Sequence, residues 1–348
     1  MAANHHSSPW GNRIRETLRD VMPLVALLLV ICIFATAGWK FERGRFFTFD
    51  NSRLILCDSA IITVSALGMM LIIAVGGIDL SAGAILGLCT AVLACALKRT
   101  YSPEQEQVPW HLPLLCLLLT VGVGALAGGL NGILINTFRV TPFMVTLGAM
   151  AAYYGLAMLL ADEKTVVPHP TAIPTWLRTF VSHNAFGWYA PGIPKVPLGI
   201  AVEIVLALVL AFVIHRTVFG RHIIAVGANE QAARLCGIRV GVLKIAVYLL
   251  GGACFGLAAV CQFANVLNYS PGTGQGKELD IIAAVVIGGG SLKGGRASVI
   301  GTFAGSLLMA TIRSGCTQLG IGNPYQLIII GLIIIGAVLF DRATGRAE

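Results

Sequence analysis

Long apolar runs separated by short polar stretches dominate this chain. Runs of roughly 20 residues are long enough to cross a bilayer as helices. They predict spans at 21–38, 54–76, 80–97, 113–134, 141–160, 197–215, 242–263, 279–290, 298–318 and 324–340. The run at 279–290 is too short to cross unaided, so it either extends outward to Gln275 or forms a broken or re-entrant helix packed inside protein. The pattern predicts an all-α polytopic membrane protein with about ten transmembrane helices.

Composition supports this class. The chain has 348 residues, of which 56% are hydrophobic and 11% charged, whereas soluble domains carry about 25% charged residues. Mean hydropathy is +0.83. The net charge of +8 is spread over loops, which favours a role in membrane topology over nucleic-acid binding. The nine cysteines lie mostly inside apolar runs and form no CxxC pair, so a disulfide framework is not expected.

Ten spans place both termini on the same side of the membrane. With the N-terminus inside, 13 of the 24 Lys and Arg residues fall on the inner side, as the positive-inside rule favours. This predicts cytoplasmic tails at 1–20 and 341–348, a single membrane domain at 21–340, an outer loop at 161–196 and an inner loop at 216–244. The first apolar run is too long for a cleavable signal peptide, so none is expected.

The inner loop at 216–244 is basic and carries the signals of a short helix. Asn229 can cap the first turn, Glu230 suits the positive end of the helix dipole, and Gly237 can terminate the helix. These signals predict a helix of about two turns from Glu230 to Cys236. Its small residues, Ala232, Ala233 and Cys236, would let another surface approach closely. Either this is a docking helix for a partner, or it is an ordinary basic loop held inside by its charge.

Two glycine-rich breaks interrupt apolar runs. The first reads GGIDLSAG at 76–83 and the second reads GGGSLKGG at 288–295. Asp79 in the first break is costly unless it faces water, protein donors or a cavity. Discontinuous helices in corresponding positions of two halves point to a translocation path. The alternative is a pair of tight helix hairpins in which Asp79 only caps the following helix through Ser81.

Acids in or beside the spans are Asp58, Asp79, Glu203 and Asp280. A proton-coupled carrier would need such groups buried and paired, and Glu203 is the best candidate for a relay. No grouping of Ser, His and Asp, no acidic metal cluster and no paired carboxylates occur at useful spacing, so the sequence indicates no enzyme active site, metal or cofactor.

Two glycine motifs do not predict nucleotide binding. The sequence GVGALA at 122–127 lies within a span and not after a strand. The sequence GTGQGK at 272–277 is followed by Glu278 where a phosphate loop needs Ser or Thr, and Pro271 replaces its first glycine. The chain is therefore expected to carry no nucleotide-binding loop of its own.

Four separated stretches together resemble the permease subunits of ribose/galactose-type ATP-binding-cassette sugar importers. They are GMMLIIAVGGIDLSAGAILG at 68–87, TPFMVTLGAMAAYYGLAMLL at 141–160, FGRHIIAVGANEQAARLCGI at 219–238 and ELDIIAAVVIGGGSLKGGRASVIGTFAG at 278–305. They occur in the order typical of that family and cover the chain from about the second span to the C-terminus. Gly290 and Ala82 depart from the family pattern, where threonine or alanine and valine are more usual.

The resemblance implies a homodimeric pore in the inner or plasma membrane, with a separate cytoplasmic ATPase and an extracytoplasmic binding protein that delivers sugar. It also implies that the 216–241 loop holds the coupling helix. The matched coupling positions are Gly227, Asn229, Glu230, Ala232, Ala233 and Gly237. The positions matched in the breaks are Gly76, Gly77, Asp79, Leu80, Ser81 and Gly83, then Glu278, Asp280, Gly288, Gly289, Gly294 and Gly295.

The expected function is the membrane-spanning permease subunit of an ATP-driven importer for a pentose, hexose or related polyol. ATP-driven closure of the partner would push on 230–236 and change the side that the pore faces. The alternative is a stand-alone secondary transporter or facilitator that uses Asp79 or Glu203 for ion coupling. The sequence leaves open the identity of the sugar and whether Phe143, Tyr153 and Tyr154 line the pore.

Overall fold

The computed structural model describes residues 23–36, 46, 48–100, 109, 111–181, 187–190, 193–195 and 197–345. The predicted N-terminal tail at 1–20 lies outside these residues. The helices are α1 (Pro23–Thr36), α2 (Phe49–Ala74), α3 (Ala82–Arg99), α4 (His111–Phe138), α5 (Pro142–Leu160), α6 (Thr175–Arg178), α7 (Leu198–Arg216), α8 (Val218–Ala228), α9 (Glu230–Leu235), α10 (Val240–Val266), α11 (Lys277–Ile287), α12 (Val299–Gln318) and α13 (Asn323–Gly345). A 3-10 turn spans Pro170–Ala172, and β1 (Gly187–Ala190) pairs antiparallel with β2 (Ile193–Lys195).

Each of the ten predicted segments coincides with one helix. The largest differences are five residues, at the start of α2 and at the end of α13; α2 begins at Phe49 where hydropathy predicts a start at residue 54. Its first turn is polar, so apolar content does not reveal it. Thr48 starts the helix instead, because its side chain accepts a hydrogen bond from the Asn51 amide at 3.2 Å.

Within the described residues, seven helices are long and apolar enough to cross a membrane, namely α2, α3, α4, α5, α7, α10 and α12. Side chains of α2, α3 and α12 are mostly buried at the centre of the bundle, whereas α5 and α7 expose most of theirs. Helices α4 and α10 approach each other through paired glycines. A Cβ at Gly124 would lie 2.5 Å from the Gly252 carbonyl oxygen, so larger side chains would force these helices apart.

Helix α11 is a half-length helix packed inside the protein. Its eleven residues reach only about 16 Å at a rise of 1.5 Å per residue, about half of a hydrocarbon core. The stretch before it turns at Gly272, Gly274 and Gly276, all with positive φ. A Cβ at Gly83 in α3 would overlap the Gly274 carbonyl, so the preceding loop lies directly against α3. The sequence prediction of a broken or re-entrant helix therefore describes this segment better than an outward extension to Gln275.

The segment 216–244, the predicted inner loop, contains two helices between α7 and α10. Helix α9 (Glu230–Leu235) confirms the predicted short helix. Helix α8 (Val218–Ala228) was not predicted, because basic residues lie between the apolar positions of this amphipathic helix. Its apolar face includes Ile223 and Val226, which are buried. The signal was nevertheless present, since the Thr217 side chain caps the Gly220 amide at 3.2 Å.

The described part of the predicted outer loop at 161–196 is held against the end of α10. Val166 and Tyr269 exchange backbone hydrogen bonds at 2.9 and 3.0 Å. Proline-rich sequence here gives only the 3-10 turn, α6 and the β1–β2 hairpin, as expected where proline limits regular helix.

Candidate coupling and translocation site

Three distant segments meet in backbone contact at the C-terminal end of α2. We call this contact the glycine junction and define it by Ala74, Gly76, Gly227, Gly294 and Gly295. The Gly295 amide donates to the Ala74 carbonyl at 2.9 Å. A Cβ on Gly227 would overlap both the Ala74 carbonyl and the Gly295 amide. Helix α8 therefore touches the end of α2, just before the first break, and the second break itself, with no side chain between them.

The geometry of the junction explains its glycines. Gly294 has φ +87°, and a Cβ there would lie 2.8 Å from the Gly227 carbonyl oxygen and 2.9 Å from the Gly76 Cα. Gly295 has φ +76° and would place its Cβ 2.9 Å from the Ala228 Cα. Gly294 and Gly295 need both a positive φ and room for close backbone contact. Glycine meets both requirements, because it adopts positive φ at little cost and has no Cβ.

Helix α9 is fixed at both ends by the predicted residues. The Asn229 side chain accepts from the Ala232 amide at 3.0 Å. At the other end, Gly237 has φ +84° and its amide donates to the Arg234 carbonyl at 3.0 Å. These are the cap and the left-handed stop expected for an independent short helix.

Glu230 ties α9 to α10. Its Oε2 lies 2.7 Å from Lys244 Nζ in α10, and its Oε1 lies 2.6 Å from Arg234 Nη2 in α9. Hydrogen bonds from Lys244 and then Arg234 lower the pKa of Glu230. The carboxylate is therefore charged at neutral pH and joins the short helix to a long span.

One face of α9 is open. Leu235 is 91% exposed, and Ala232 and Cys236 are exposed beside it. Ala233 is buried against the protein, so the two predicted alanines have different surroundings. A leucine this exposed on an otherwise polar helix marks a surface that a partner can cover. Sequence reasoning missed Leu235, although it is the one large apolar residue of the helix.

Asp79 lies in a fully buried hydrogen-bond network. Its Oδ1 accepts from the Ser81 amide at 2.8 Å and from the Ser81 hydroxyl at 2.6 Å. Asn131 Nδ2 donates to Ser81 Oγ at 2.8 Å and lies 3.4 Å from Asp79 Oδ2. Both carboxylate oxygens thus have protein partners, and this geometry matches the predicted capping role of Asp79.

The network also reaches α4 and α5. The Tyr153 hydroxyl lies 3.1 Å from Asn131 Oδ1 and 3.0 Å from the Ala127 carbonyl oxygen. Thr146 in α5 accepts from the Leu80 amide at 3.2 Å. Asn131 is a lone amide in an apolar run, which was the available signal for its role. The first break is therefore hydrogen-bonded to two neighbouring helices.

The remaining break residues make separate packing contacts. A Cβ on Gly77 would lie 2.5 Å from the Tyr248 hydroxyl. Gly83 faces Glu278, and Gly288 faces the Gly301 backbone. Gly289 has φ +87° at a turn. The predicted residues therefore do not form one site: Gly76, Gly227 and Gly294 share the junction, Asp79 and Ser81 share the network, and the others pack elsewhere.

The three aromatic candidates for the pore are also dispersed. Phe143 is exposed on α5, Tyr153 belongs to the Asp79 network, and Tyr154 lies 3.8 Å from the position of a Gly87 Cβ. Glu203 in α7 is fully buried, and its Oε2 has no hydrogen-bond partner among the described residues.

A multi-pass helical bundle with two broken segments that meet beside the helix pair α8 and α9 is the architecture of a membrane transport protein. The chain belongs to the family described as "Branched-chain amino acid transport system / permease component", which matches residues 53–338. It is therefore a transport component and not an enzyme.

Curated relatives agree over nearly the whole chain. The chain is 38% identical to the ribose import permease protein RbsC of Bacillus subtilis (strain 168), over 93% of each chain. It is 34% identical to RbsC of Escherichia coli (strain K12), over 93% of this chain and 94% of that one. It is 32% identical to the fructose import permease protein FrcC of Rhizobium meliloti, over 97% of this chain and 86% of that one. No solved structure matches the chain.

Proposed function

We propose that this chain is the membrane-spanning permease subunit of an ATP-driven importer that translocates a sugar delivered by a binding protein. Its relatives are named as import permeases for ribose and fructose, which supports a pentose, hexose or related polyol as substrate. The sequence carries no nucleotide-binding loop, so ATP hydrolysis belongs to a separate cytoplasmic ATPase. The observation that carries the proposal is the glycine junction, which connects the inner helices to both breaks.

The ATPase docks on α9 in this scheme. The open face with Leu235, Ala232 and Cys236 offers an apolar contact on a helix rich in charged neighbours. Asn229 and Gly237 hold the helix in shape, since a six-residue helix is marginal without its caps. Glu230 then passes a push on α9 to α10 through Lys244.

The junction transmits the same push to the breaks. Helix α8 continues directly into α9 through Asn229, and Gly227 rests on the Ala74 carbonyl. Contacts between backbones have no side-chain rotamers that could absorb a displacement. A movement of α8 therefore moves the inner end of α2 and the 294–295 turn together.

Alternating access follows from these connected movements. Two copies of the chain in the cell's inner or plasma membrane form the pore between them, and the breaks let helix halves tilt without straining a continuous helix. Sugar contacts within the permease are weak, because a tight central site would slow release, and selectivity resides mainly in the delivering protein.

Reconstitution tests the proposal. The purified chain is placed in proteoliposomes alone, with the ATPase, and with both the ATPase and the loaded binding protein. Uptake of labelled ribose or fructose is expected only in the complete system with ATP, and it should persist when an ionophore collapses ion gradients.

Sugar uptake by the chain alone, or uptake that stops with the ion gradient while ATP remains, would instead establish a secondary transporter. Asp79 is a poor coupling group for such a transporter, since its oxygens are already bonded to Ser81 and Asn131. Glu203→Gln identifies the remaining candidate, because only an ion-coupled carrier should lose uptake with that change.

A further inference from the structure

Polar side chains converge in the half of the bundle remote from the glycine junction. They come from α2, the end of α10, the start of α11 and α12, and we call the set the outer polar crevice. Its residues are Asp58, Asn265, Lys277, Asp280 and Arg313. Charged groups inside membrane spans are expensive and are usually retained for a function.

The position along α2 places the crevice far from α9. Asp58 precedes Ala74 by sixteen residues in α2, which is about 24 Å at 1.5 Å per residue. The hydrocarbon core is about 30 Å thick. The crevice therefore lies on the side opposite the coupling helix, where a binding protein would deliver its ligand.

The crevice residues are already organised. Asp58 Oδ1 accepts from Asn265 Nδ2 at 3.2 Å, and Asp280 Oδ2 lies 2.5 Å from Arg313 Nη2. Lys277 lies within electrostatic range of both acids and of Arg313. Exposure differs across the set: Asp58 and Asn265 are exposed, and Asp280 is 1% exposed.

Two buried atoms of the Asp280–Arg313 pair have unused hydrogen-bonding capacity. Among the described residues, Asp280 Oδ1 accepts no hydrogen bond and Arg313 Nε donates none, although both atoms are buried. Buried polar atoms without partners are costly, so such atoms in the same set as exposed polar side chains indicate a ligand that completes them. The deep side of the crevice thus offers one acceptor and one donor a short distance apart.

The charges specify the kind of ligand. Two carboxylates face one ammonium and one guanidinium, so the formal charges cancel and a ligand with net charge gains little. Adjacent donors and acceptors suit vicinal hydroxyl groups, which can donate and accept together. We propose that the outer polar crevice is a binding site for an uncharged polyhydroxylated ligand, the sugar entering the permease. This inference rests on the proposed function for its ligand.

A protection experiment tests binding without transport. The purified full chain is treated with an amine-acylating reagent, and modification of each lysine is followed by mass spectrometry with and without excess ribose or fructose. Sugar should slow modification of Lys277 and leave that of Lys164 unchanged, since Lys164 is exposed and its ammonium is paired with Asp162, not with a crevice residue. Gluconate, which is charged, should protect Lys277 less than either sugar.

Protection of neither lysine, equal protection of both, or stronger protection by gluconate would overturn the proposal. Because no ATPase is present, these outcomes are independent of ATP-driven import.

Transport gives the second test. In the complete importer, Lys277→Met and Asp280→Asn should lower sugar uptake per ATP about tenfold or more, the effect of one hydrogen bond to a charged group. Stimulation of the ATPase by loaded binding protein should remain. Asp280→Asn also removes the ion pair between Asp280 and Arg313. Lys277→Met leaves that ion pair in place, so it separates the loss of a ligand contact from the loss of the pair. Lys164→Met is the matched control and should behave as wild type.

If wild type transports sugar and Lys277→Met has the same uptake per ATP, the crevice does not bind the transported sugar. If wild type itself fails to use ATP, the proposed function fails, and the protection experiment still decides the crevice.

Discussion

Replacing Gly227 by alanine should separate ATP hydrolysis from sugar uptake. The new methyl group would overlap the Ala74 carbonyl and the Gly295 amide, so α8 must move away from both breaks. Overpacking of this kind costs about 1–3 kcal/mol. Losing the hydrogen bond from Gly295 to Ala74 costs about 1 kcal/mol more.

Alanine also improves helix propensity within α8, which returns up to about 1 kcal/mol. The net penalty for closing the junction is therefore about 1–3 kcal/mol, or a factor of roughly 5 to 150 in the population of the joined state. This penalty falls on the connection between α8 and the breaks and leaves the docking face of α9 intact.

The assay is labelled sugar uptake and phosphate release measured together in proteoliposomes that contain the complete importer. Uptake per ATP should fall about fivefold or more, while the ATPase still binds and hydrolyses. Gly148→Ala is the matched control, because Gly148 is also helical and a Cβ there meets nothing within 4 Å. Its uptake per ATP should equal that of wild type.

An unchanged ratio in Gly227→Ala, in protein that unfolds at the wild-type temperature, would refute the reasoning. The junction would then be a packing contact that carries no movement.

Three further outcomes follow from the site. Lys244 and Arg234 lower the pKa of Glu230, so its ion pairs should stabilise α9 at pH values above the ordinary Glu pKa and should be lost as the pH falls through the lowered pKa. Binding of the ATPase to membranes that contain the wild-type chain should therefore weaken on acidification. Membranes that contain Glu230→Gln should bind the ATPase weakly, with little dependence on pH. At φ +84°, Gly237→Asn should retain more uptake than Gly237→Val, because asparagine tolerates left-handed backbone, and equal uptake would contradict the role of the turn. Asp79→Ala leaves the buried amide and hydroxyl donors of Ser81 without an acceptor and should lower thermal stability in detergent by about 1–3 kcal/mol per donor. Asp79→Asn should be milder, and equal losses would exclude hydrogen bonding as the cause.

Local signals in the sequence predicted the membrane helices and the ends of α9. Apolar runs give the spans because a bilayer accepts only segments that satisfy their own backbone. Asn229 and Gly237 act within one turn, so neighbouring residues are enough to recognise them. Helix α8 was missed because its apolar face is short and lies among basic residues, even though Thr217 caps it.

Tertiary structure alone decided which of these pieces touch. The two glycine breaks were visible as separate motifs, but the contact of Gly76 with Gly294, and of Gly294 with α8, joins positions far apart in the chain. Glycine has no side chain, so its contact partners cannot be predicted from side-chain chemistry. Asp79 likewise read equally well as a cap or as an ion-coupling group until Asn131 was seen beside it.

The sequence by itself determined that the chain is a helical membrane protein with a capped inner helix, because hydropathy and capping depend on residues close in the chain. The structure decided that the neighbouring helix α8 contacts the end of α2 and the second broken segment through bare backbone, and that polar groups gather in the opposite half of the bundle. Those arrangements depend on how helices pack, and packing joins residues that no local pattern relates.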